Sequence, residues 1–221
     1  MDSYLAHTTK DGRTQTVLQH LTATAQRLAK VAVHALPLIF PAGLQFGSAT
    51  KGTWELGLQA HDLGKYSDGF QNRLMHHGPK VDHATAGAFE CFKLGQPYAA
   101  FAVAGHHSGL PDGGSQTDSP DSSSFLGRMN RALQGKLPEY GAWKSELALS
   151  NFPLPNDLEP QMEGMIFYPH AVFLLGGCGL FRHSGVHVRH SPDRRNGCDS
   201  PPYWRNGSRF TPPVGFRPMG L

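Results

Sequence analysis

The chain has 221 residues, of which 39% are hydrophobic and 17% are charged, a composition typical of one globular domain. No stretch approaches the roughly 18 uncharged apolar residues of a membrane-spanning helix, and the first residues lack the regions of a secretion signal. We therefore expect a cytoplasmic protein with no membrane partner. Three widely spaced cysteines do not form a disulfide framework.

The net charge of +3 is unevenly distributed along the chain. Residues 169–221 contain seven Arg, two Asp and no Lys or Glu, a formal charge of +5, which leaves −2 on residues 1–168. The first 168 residues therefore have no basic excess with which to hold nucleic acid phosphates. A nucleic acid substrate would have to be held by metal ions, local patches or a partner.

The first predicted helices carry the first candidate ligands. Apolar residues recur at helical spacing from residue 17 onward and place His20 on an amphipathic helix that ends before Pro37. A short buried helix follows from Trp54 to Leu63, with Gly64 as its C-terminal cap. Residues 61 and 62 then fall in the last turn of that helix.

The next predicted helices begin and end at further candidate ligands. Asp82 is a plausible N-cap for a helix over His83–Gly95. Pro97 begins another helix, and His106 and His107 stand at its C-terminal end.

The remaining chain contains one long loop and a change of character near residue 168. Residues 108–122 indicate an exposed loop, Phe125–Leu133 a helix capped by one of the serines 122–124, and Trp143–Leu149 a further helix. No strand alternation recurs, so the domain over residues 4–168 is predicted to be all-α. Residues 169–221, rich in Pro and Gly and without periodicity, are predicted to be irregular or disordered.

An adjacent imidazole and carboxylate at the end of an apolar stretch offer two different metal donors side by side. Further His residues stand at predicted helix ends, which converge on clefts more readily than mid-helix positions. The candidate ligands are His20, His61, Asp62, His83, His106 and His107. Nitrogen and carboxylate donors together favour iron, manganese, nickel or zinc over calcium. Because paired ions clamp both oxygens of a phosphodiester displacement, the set predicts a metal-dependent phosphoester hydrolase.

Other residues near the ligands have ordinary interpretations. A lone His on an apolar helix is usually a core or surface residue, and we interpret His7 and His34 in this way. His76 and His77 precede Gly-Pro and are interpreted as loop residues. One interpretation of Lys65 is an exposed cation that interacts favourably with the dipole at a helix end. Its position directly after the ligands favours contact with a phosphate instead.

Six segments resemble, in order, the HD nuclease domain of the type I CRISPR-associated nuclease-helicase. They are Tyr4-Leu5-Ala6-His7, Leu18-Gln19-His20-Leu21, His61-Asp62-Leu63-Gly64-Lys65, Phe70-Gln71, Asp82-His83 with Gly87-Ala88, and Gly105-His106-His107-Ser108-Gly109-Leu110-Pro111-Asp112. They cover about residues 4–135. The His-Asp pair alone would indicate only the HD superfamily, whereas the last run and the N-terminal Tyr-x-x-His are more specific.

The resemblance implies an HD-domain helical bundle that nicks and degrades single-stranded DNA in CRISPR antiviral defence. It implies one ion held by His20, His61 and Asp62. A second ion, bridged by Asp62, would be held by three further ligands, His83, His106 and His107. Lys65 would contact phosphate. Because family members usually continue into a helicase, the implied partners are single-stranded DNA, a helicase subunit or domain, and the CRISPR effector complex.

One departure from the family concerns a later Asp ligand, which the family supplies from a stretch reading roughly Leu-Phe-Ser-x-Leu-Val-Asp-Ala-Asp. Codons can be chosen for His170 to His183 that, read one nucleotide later, spell Thr-Leu-Phe-Ser-Cys-Leu-Val-Asp-Ala-Asp-Tyr-Leu-Asp. Our hypothesis is that residues 169–221 are out-of-frame translation, which the gene sequence decides. Loss of this carboxylate predicts one tightly bound ion and reduced nuclease activity.

Two alternatives share the same metal ligands. The first is an HD phosphohydrolase that acts on nucleotides or cyclic dinucleotides and needs no DNA. The second is an inactive metal-binding remnant, or a helical module that only contacts other CRISPR proteins.

Overall fold

The computed structural model describes residues 3–26 and 48–150, and the fold of these two segments is mostly helical. The elements in chain order are β1 (Leu5–Thr8), β2 (Thr14–Thr16), α1 (residues 17–26, where the first segment ends), α2 (Ser48–Ala60), a 3-10 helix (Leu63–Tyr66), α3 (Asp68–His76), α4 (Ala84–Lys93), α5 (Pro97–Gly105), α6 (Phe125–Leu133) and a 3-10 helix (Gly141–Ser145). Within these segments no helix combines the length and apolarity needed to cross a bilayer. The predictions for residues 151–221, including the frameshift hypothesis, lie outside the described residues.

Helix α5 forms the centre of the helical body. Its residues from Ala99 to Gly105 are all buried, which is the expected position for a helix that is apolar on every side. Helices α2 and α4 pack against it and contribute Leu56, Leu58, Ala88 and Cys91 to a shared core. The burial of this apolar surface holds the three helices together.

Two glycines allow the ends of these helices to pack with their backbones in direct contact. A Cβ on Gly87 of α4 would overlap the carbonyl oxygen of Ala60 at the end of α2 and would lie 3.2 Å from the Val103 side chain of α5. A Cβ on Gly64 would overlap the His83 carbonyl oxygen and lie 2.6 Å from its Cα. The residues after α2 and α5 are thereby brought beside the start of α4.

The role predicted for Gly64 as a helix cap is wrong. Gly64 lies inside the 3-10 helix Leu63–Tyr66, and the contact with His83 explains why a side chain does not fit there. Helix α2 ends at Ala60, so His61 and Asp62 follow its last turn rather than form it.

The cap predicted for α6 agrees with the structure, whereas the cap predicted for α4 is one residue off. The N-cap of α4 is His83, and the carboxylate of Asp82, the residue before it, accepts a hydrogen bond from the Thr85 amide at 3.1 Å. Ser124 is the serine that caps α6, since its hydroxyl accepts a hydrogen bond from the Gly127 amide at 3.1 Å. Pro97 begins α5 as predicted.

Two other predictions are corrected. His76 is the last residue of α3 and His77 is its left-handed C-cap, so the interpretation of both as loop residues was wrong. The helix predicted over Trp143–Leu149 is the short 3-10 helix over Gly141–Ser145. Both helical segments are too short or too polar to show a clear helical period in the sequence.

A two-stranded antiparallel hairpin, which the sequence did not predict, precedes α1. Strands β1 and β2 pair with Leu5 opposite Thr16 and His7 opposite Gln15. The Gln71 side chain of α3 donates a hydrogen bond to the Leu5 carbonyl at 2.9 Å and accepts one from the Leu5 amide at 3.0 Å. Elsewhere in the described segments the regular elements are all helices, which is compatible with the all-α prediction.

Candidate metal centre

Asp62 lies at the centre of a buried group of His side chains, on the turn between α2 and the first 3-10 helix. It is 1% exposed. Burial alone raises the pKa of a carboxyl group, but the neighbouring Lys65 and His61 outweigh it and hold the pKa of Asp62 well below its usual value. Asp62 is therefore an ionised carboxylate inside the protein, and a buried charge of this kind requires compensating positive charge.

The two carboxylate oxygens of Asp62 face different His residues. Its Oδ2 lies 2.9 Å from His20 Nε2 and 3.3 Å from His61 Nε2. Its Oδ1 lies 3.3 Å from His83 Nε2 and 3.5 Å from His106 Nε2. Ligand atoms that share one ion through bonds of about 2.1 Å lie about 3.0–3.5 Å apart. Each oxygen is thus placed to share an ion with its own pair of imidazoles.

All six ligands predicted from the sequence are brought together in two groups. The first group consists of His20, His61 and Asp62, and the second group of Asp62, His83, His106 and His107. Within each group the ligand atoms lie within 4.8 Å of one another. His107 is the exposed member, with its ring centroid 4.0 Å from that of His106. Such a set of mostly buried nitrogen and carboxylate donors can hold a metal ion.

Backbone carbonyl groups orient two of the imidazole rings. His61 Nδ1 lies 2.9 Å from the Leu58 carbonyl oxygen, and His106 Nδ1 lies 2.6 Å from the Val103 carbonyl oxygen. Because a carbonyl only accepts, Nδ1 donates in both pairs, and Nε2 is the ring nitrogen that faces Asp62. Burial lowers the pKa of His106 and favours its neutral form. Metal-ligating His residues show the same arrangement, with one ring N–H donating to a backbone carbonyl and the other nitrogen facing the ion.

Two buried atoms in the second group support the same conclusion. Asp62 Oδ1 and His83 Nε2 are buried and lie 3.3 Å apart, and within the described segments neither atom has a well-formed hydrogen bond. Leaving a buried polar atom unsatisfied costs about 1–3 kcal/mol. A divalent cation would satisfy both atoms, so the residues of the second group fit a metal ion.

Lys65 is the second charged residue at this centre. It is 4% exposed, and its Nζ lies 2.9 Å from Asp62 Oδ2 and 5.4 Å from the ring centroid of Phe70. The alternative interpretation of Lys65 as an exposed helix-end cation is therefore wrong. Its contact with a phosphate stays a prediction.

His7 is at this site although the sequence suggested only a structural role for it. Its ring centroid lies 4.8 Å from that of His20, with the rings at 75°. Burial, with a smaller effect of Lys65, lowers the pKa of His7 to about 3. The hairpin brings His7 here, and the only sequence signal for it was its place in the N-terminal Tyr-x-x-His. His34 lies outside the described residues.

Comparisons with protein-family models, curated proteins and solved structures found no match to this chain. Membership of the HD nuclease family therefore stays a prediction from the motifs. The interpretation of the centre as a metal site depends on the residues that form it and not on the family.

Proposed function

We propose that the chain is a cytoplasmic, metal-dependent HD-type nuclease that hydrolyses phosphodiester bonds of single-stranded DNA in CRISPR antiviral defence. The observation that supports this most is the position of Asp62, whose two oxygens face two separate groups of imidazole nitrogens. Nitrogen and carboxylate donors in this combination favour a divalent transition ion, iron, manganese, nickel or zinc.

The residues of the two groups would each have a defined role. When bound, a divalent ion supplies a Lewis acid that polarises a phosphoryl oxygen and activates water for attack. Asp62 orients the ligands by presenting one oxygen to each group. The carbonyls of Leu58 and Val103 keep the rings of His61 and His106 in the tautomer that ligates through Nε2. The ammonium of Lys65, in the same pocket, would neutralise charge on a phosphate.

The substrate class is proposed from the motif resemblance and from the charge of the chain. Residues 1–168 carry a formal charge of −2, so the domain has no basic excess for tracking a DNA backbone. A helicase subunit or domain and the CRISPR effector complex would therefore deliver the strand. We expect weak binding of DNA by the chain alone.

The test is cleavage of labelled single-stranded DNA by the full chain with iron, manganese, nickel or zinc. We expect metal-dependent cleavage by the wild type and no cleavage by Asp62→Asn. The rate of the wild type should be low because the later Asp ligand of the family is missing. The matched control is Asp68→Asn, which alters an exposed carboxylate six residues away and should leave cleavage unchanged. Turnover of cyclic dinucleotides or nucleotides without DNA cleavage would favour the alternative HD phosphohydrolase. Inactivity of the folded protein on every substrate would favour the inactive remnant.

A further inference from the structure

The ammonium of Lys65 occupies the side of Asp62 that faces the first group. Its Nζ lies 2.9 Å from Oδ2, the oxygen that also lies 2.9 Å from His20 Nε2 and 3.3 Å from His61 Nε2. An ion in the first group would have to bind this same oxygen. We propose that Lys65 is a built-in cation that takes the place of the first ion, so that the chain binds one divalent ion, in the second group.

Lys65 is held in this position by its surroundings. Its amide donates a hydrogen bond to the Asp62 carbonyl at 2.9 Å, and its carbonyl accepts one from Gln71 Nε2 at 2.7 Å. The ring centroid of Phe70 lies 5.4 Å from the ammonium nitrogen. Lysine is almost never buried to this degree unless it is paired. The ammonium is therefore a fixed part of the pocket, and Asp62 is its ion-pair partner.

The charge of the centre also favours one ion over two. Among the residues that the structure describes, Asp62 is the only carboxylate in either ligand group, and neutral imidazoles add no negative charge. Lys65 already balances this carboxylate, and each divalent ion adds two further positive charges. The carboxylate of Asp82, beside His83 in the chain, is bonded to Thr85 and Arg131 instead.

The second group has the properties that the first group lacks. It offers four ligands rather than three. Among the contacts that the structure describes, no ammonium lies beside Oδ1, the Asp62 oxygen that faces this group. Both Asp62 Oδ1 and His83 Nε2 are buried there, 3.3 Å apart, without a well-formed hydrogen bond within the described segments. A single ion would therefore bind in the second group, where it would satisfy both atoms.

The proposal depends on the metal-dependent function above, and its test measures metal binding rather than activity. The full chain is dialysed against Mn²⁺, and bound metal is determined by elemental analysis and by electron paramagnetic resonance, which separates an isolated ion from a coupled pair. We expect one uncoupled Mn²⁺ per wild-type chain and one for Lys65→Arg, which keeps the charge. For Lys65→Met, which has a similar size and no charge, we expect two ions with a coupled spectrum.

Variants of the ligands locate the ion even if the Lys65 variants do not fold. Mn²⁺ should stay bound to His20→Gln and should be bound at least about 10-fold more weakly by His106→Gln. Two ions in the wild type, one in folded Lys65→Met, or loss of the ion in His20→Gln would overturn the role of Lys65 and leave the metal-dependent function standing. Failure of the folded wild type to bind Mn²⁺, iron, nickel or zinc would overturn both.

Discussion

Replacement of Gly64 by alanine should separate Asp62 from His83 without removing any ligand. Gly64 packs against the backbone of His83, and a Cβ at this position would overlap the His83 carbonyl oxygen and lie 2.6 Å from its Cα. Both contacts are with backbone atoms, so no side-chain rotation relieves them. The first 3-10 helix and the start of α4 would have to move apart.

The size of this movement follows from the same contact. The distance of 2.6 Å is about 0.8 Å short of the 3.4 Å at which ordinary contacts begin. Overpacking of this kind costs about 1–3 kcal/mol of stability. Metal sites tolerate displacements of only about 0.5 Å, and loss of a supporting contact weakens metal binding by about 10–100-fold. Gly64→Ala should therefore lose both stability and metal affinity.

Urea unfolding and calorimetric titration with Mn²⁺ measure the two effects. The matched control is Gly69→Ala in α3, where a Cβ would lie 3.5 Å from the Val81 side chain, an ordinary contact. This control should fold with equal or higher stability, because alanine is favoured over glycine in helices by up to about 1 kcal/mol. If Gly64→Ala bound Mn²⁺ as tightly as the wild type, the close approach of Asp62 and His83 would not be what forms the site.

Three further predictions concern Asp82, pH and metal binding. Asp82→Ala removes the acceptor of the Thr85 amide at the start of α4 and should lower the free energy of unfolding by about 1 kcal/mol, whereas Asp82→Asn, which keeps an acceptor, should cost only a few tenths of that amount; equal losses in urea unfolding would argue against a stabilising role for this hydrogen bond. Burial lowers the pKa of His20 from 6.5 to about 4 and also lowers that of His106, so the unfolded chain binds more protons than the folded chain in this range. Without metal, the stability should therefore decrease by on the order of 1 kcal/mol per pH unit for His20 as the pH falls from 6.5 toward 4, with a further decrease from His106 below pH 6.5, and a pH-independent urea midpoint would contradict this. Zn²⁺ at 100 times its Kd should stabilise the wild type by about 2.7 kcal/mol in thermal unfolding, with no such gain for Asp62→Asn.

The positions of most ligands on the fold could be predicted from the sequence. Periodic apolar residues placed His20 on a helix, the proline at residue 97 placed the start of α5, and the cap predicted at Asp82 lies one residue before the observed N-cap of α4, His83. These signals are local, which is why they place the helices to within a residue. Four of the six ligands, His61, His83, His106 and His107, were predicted at helix ends, and such ends converge on clefts, which explains why residues scattered along the chain meet in one place.

The residues that sequence reasoning misplaced depend on contacts between distant segments. The hairpin that carries His7 has strands of four and three residues, too short to show alternation, and is held by Gln71 sixty-six positions away from Leu5. Gly64 looked like a helix cap because its close approach to His83 is a tertiary contact. The burial of Lys65 against Asp62 was hidden for the same reason.

The central claim is that the imidazoles around Asp62 bind a divalent transition ion, and X-ray absorption at the zinc edge of the Zn²⁺-loaded full chain tests it most directly. The expected spectrum has nitrogen and oxygen neighbours at about 2.0–2.1 Å, with the multiple scattering of two or three imidazole rings, and this scattering should decrease in His83→Gln and His106→Gln. A spectrum with sulfur neighbours, or with oxygen neighbours and no imidazole scattering, would contradict the claim.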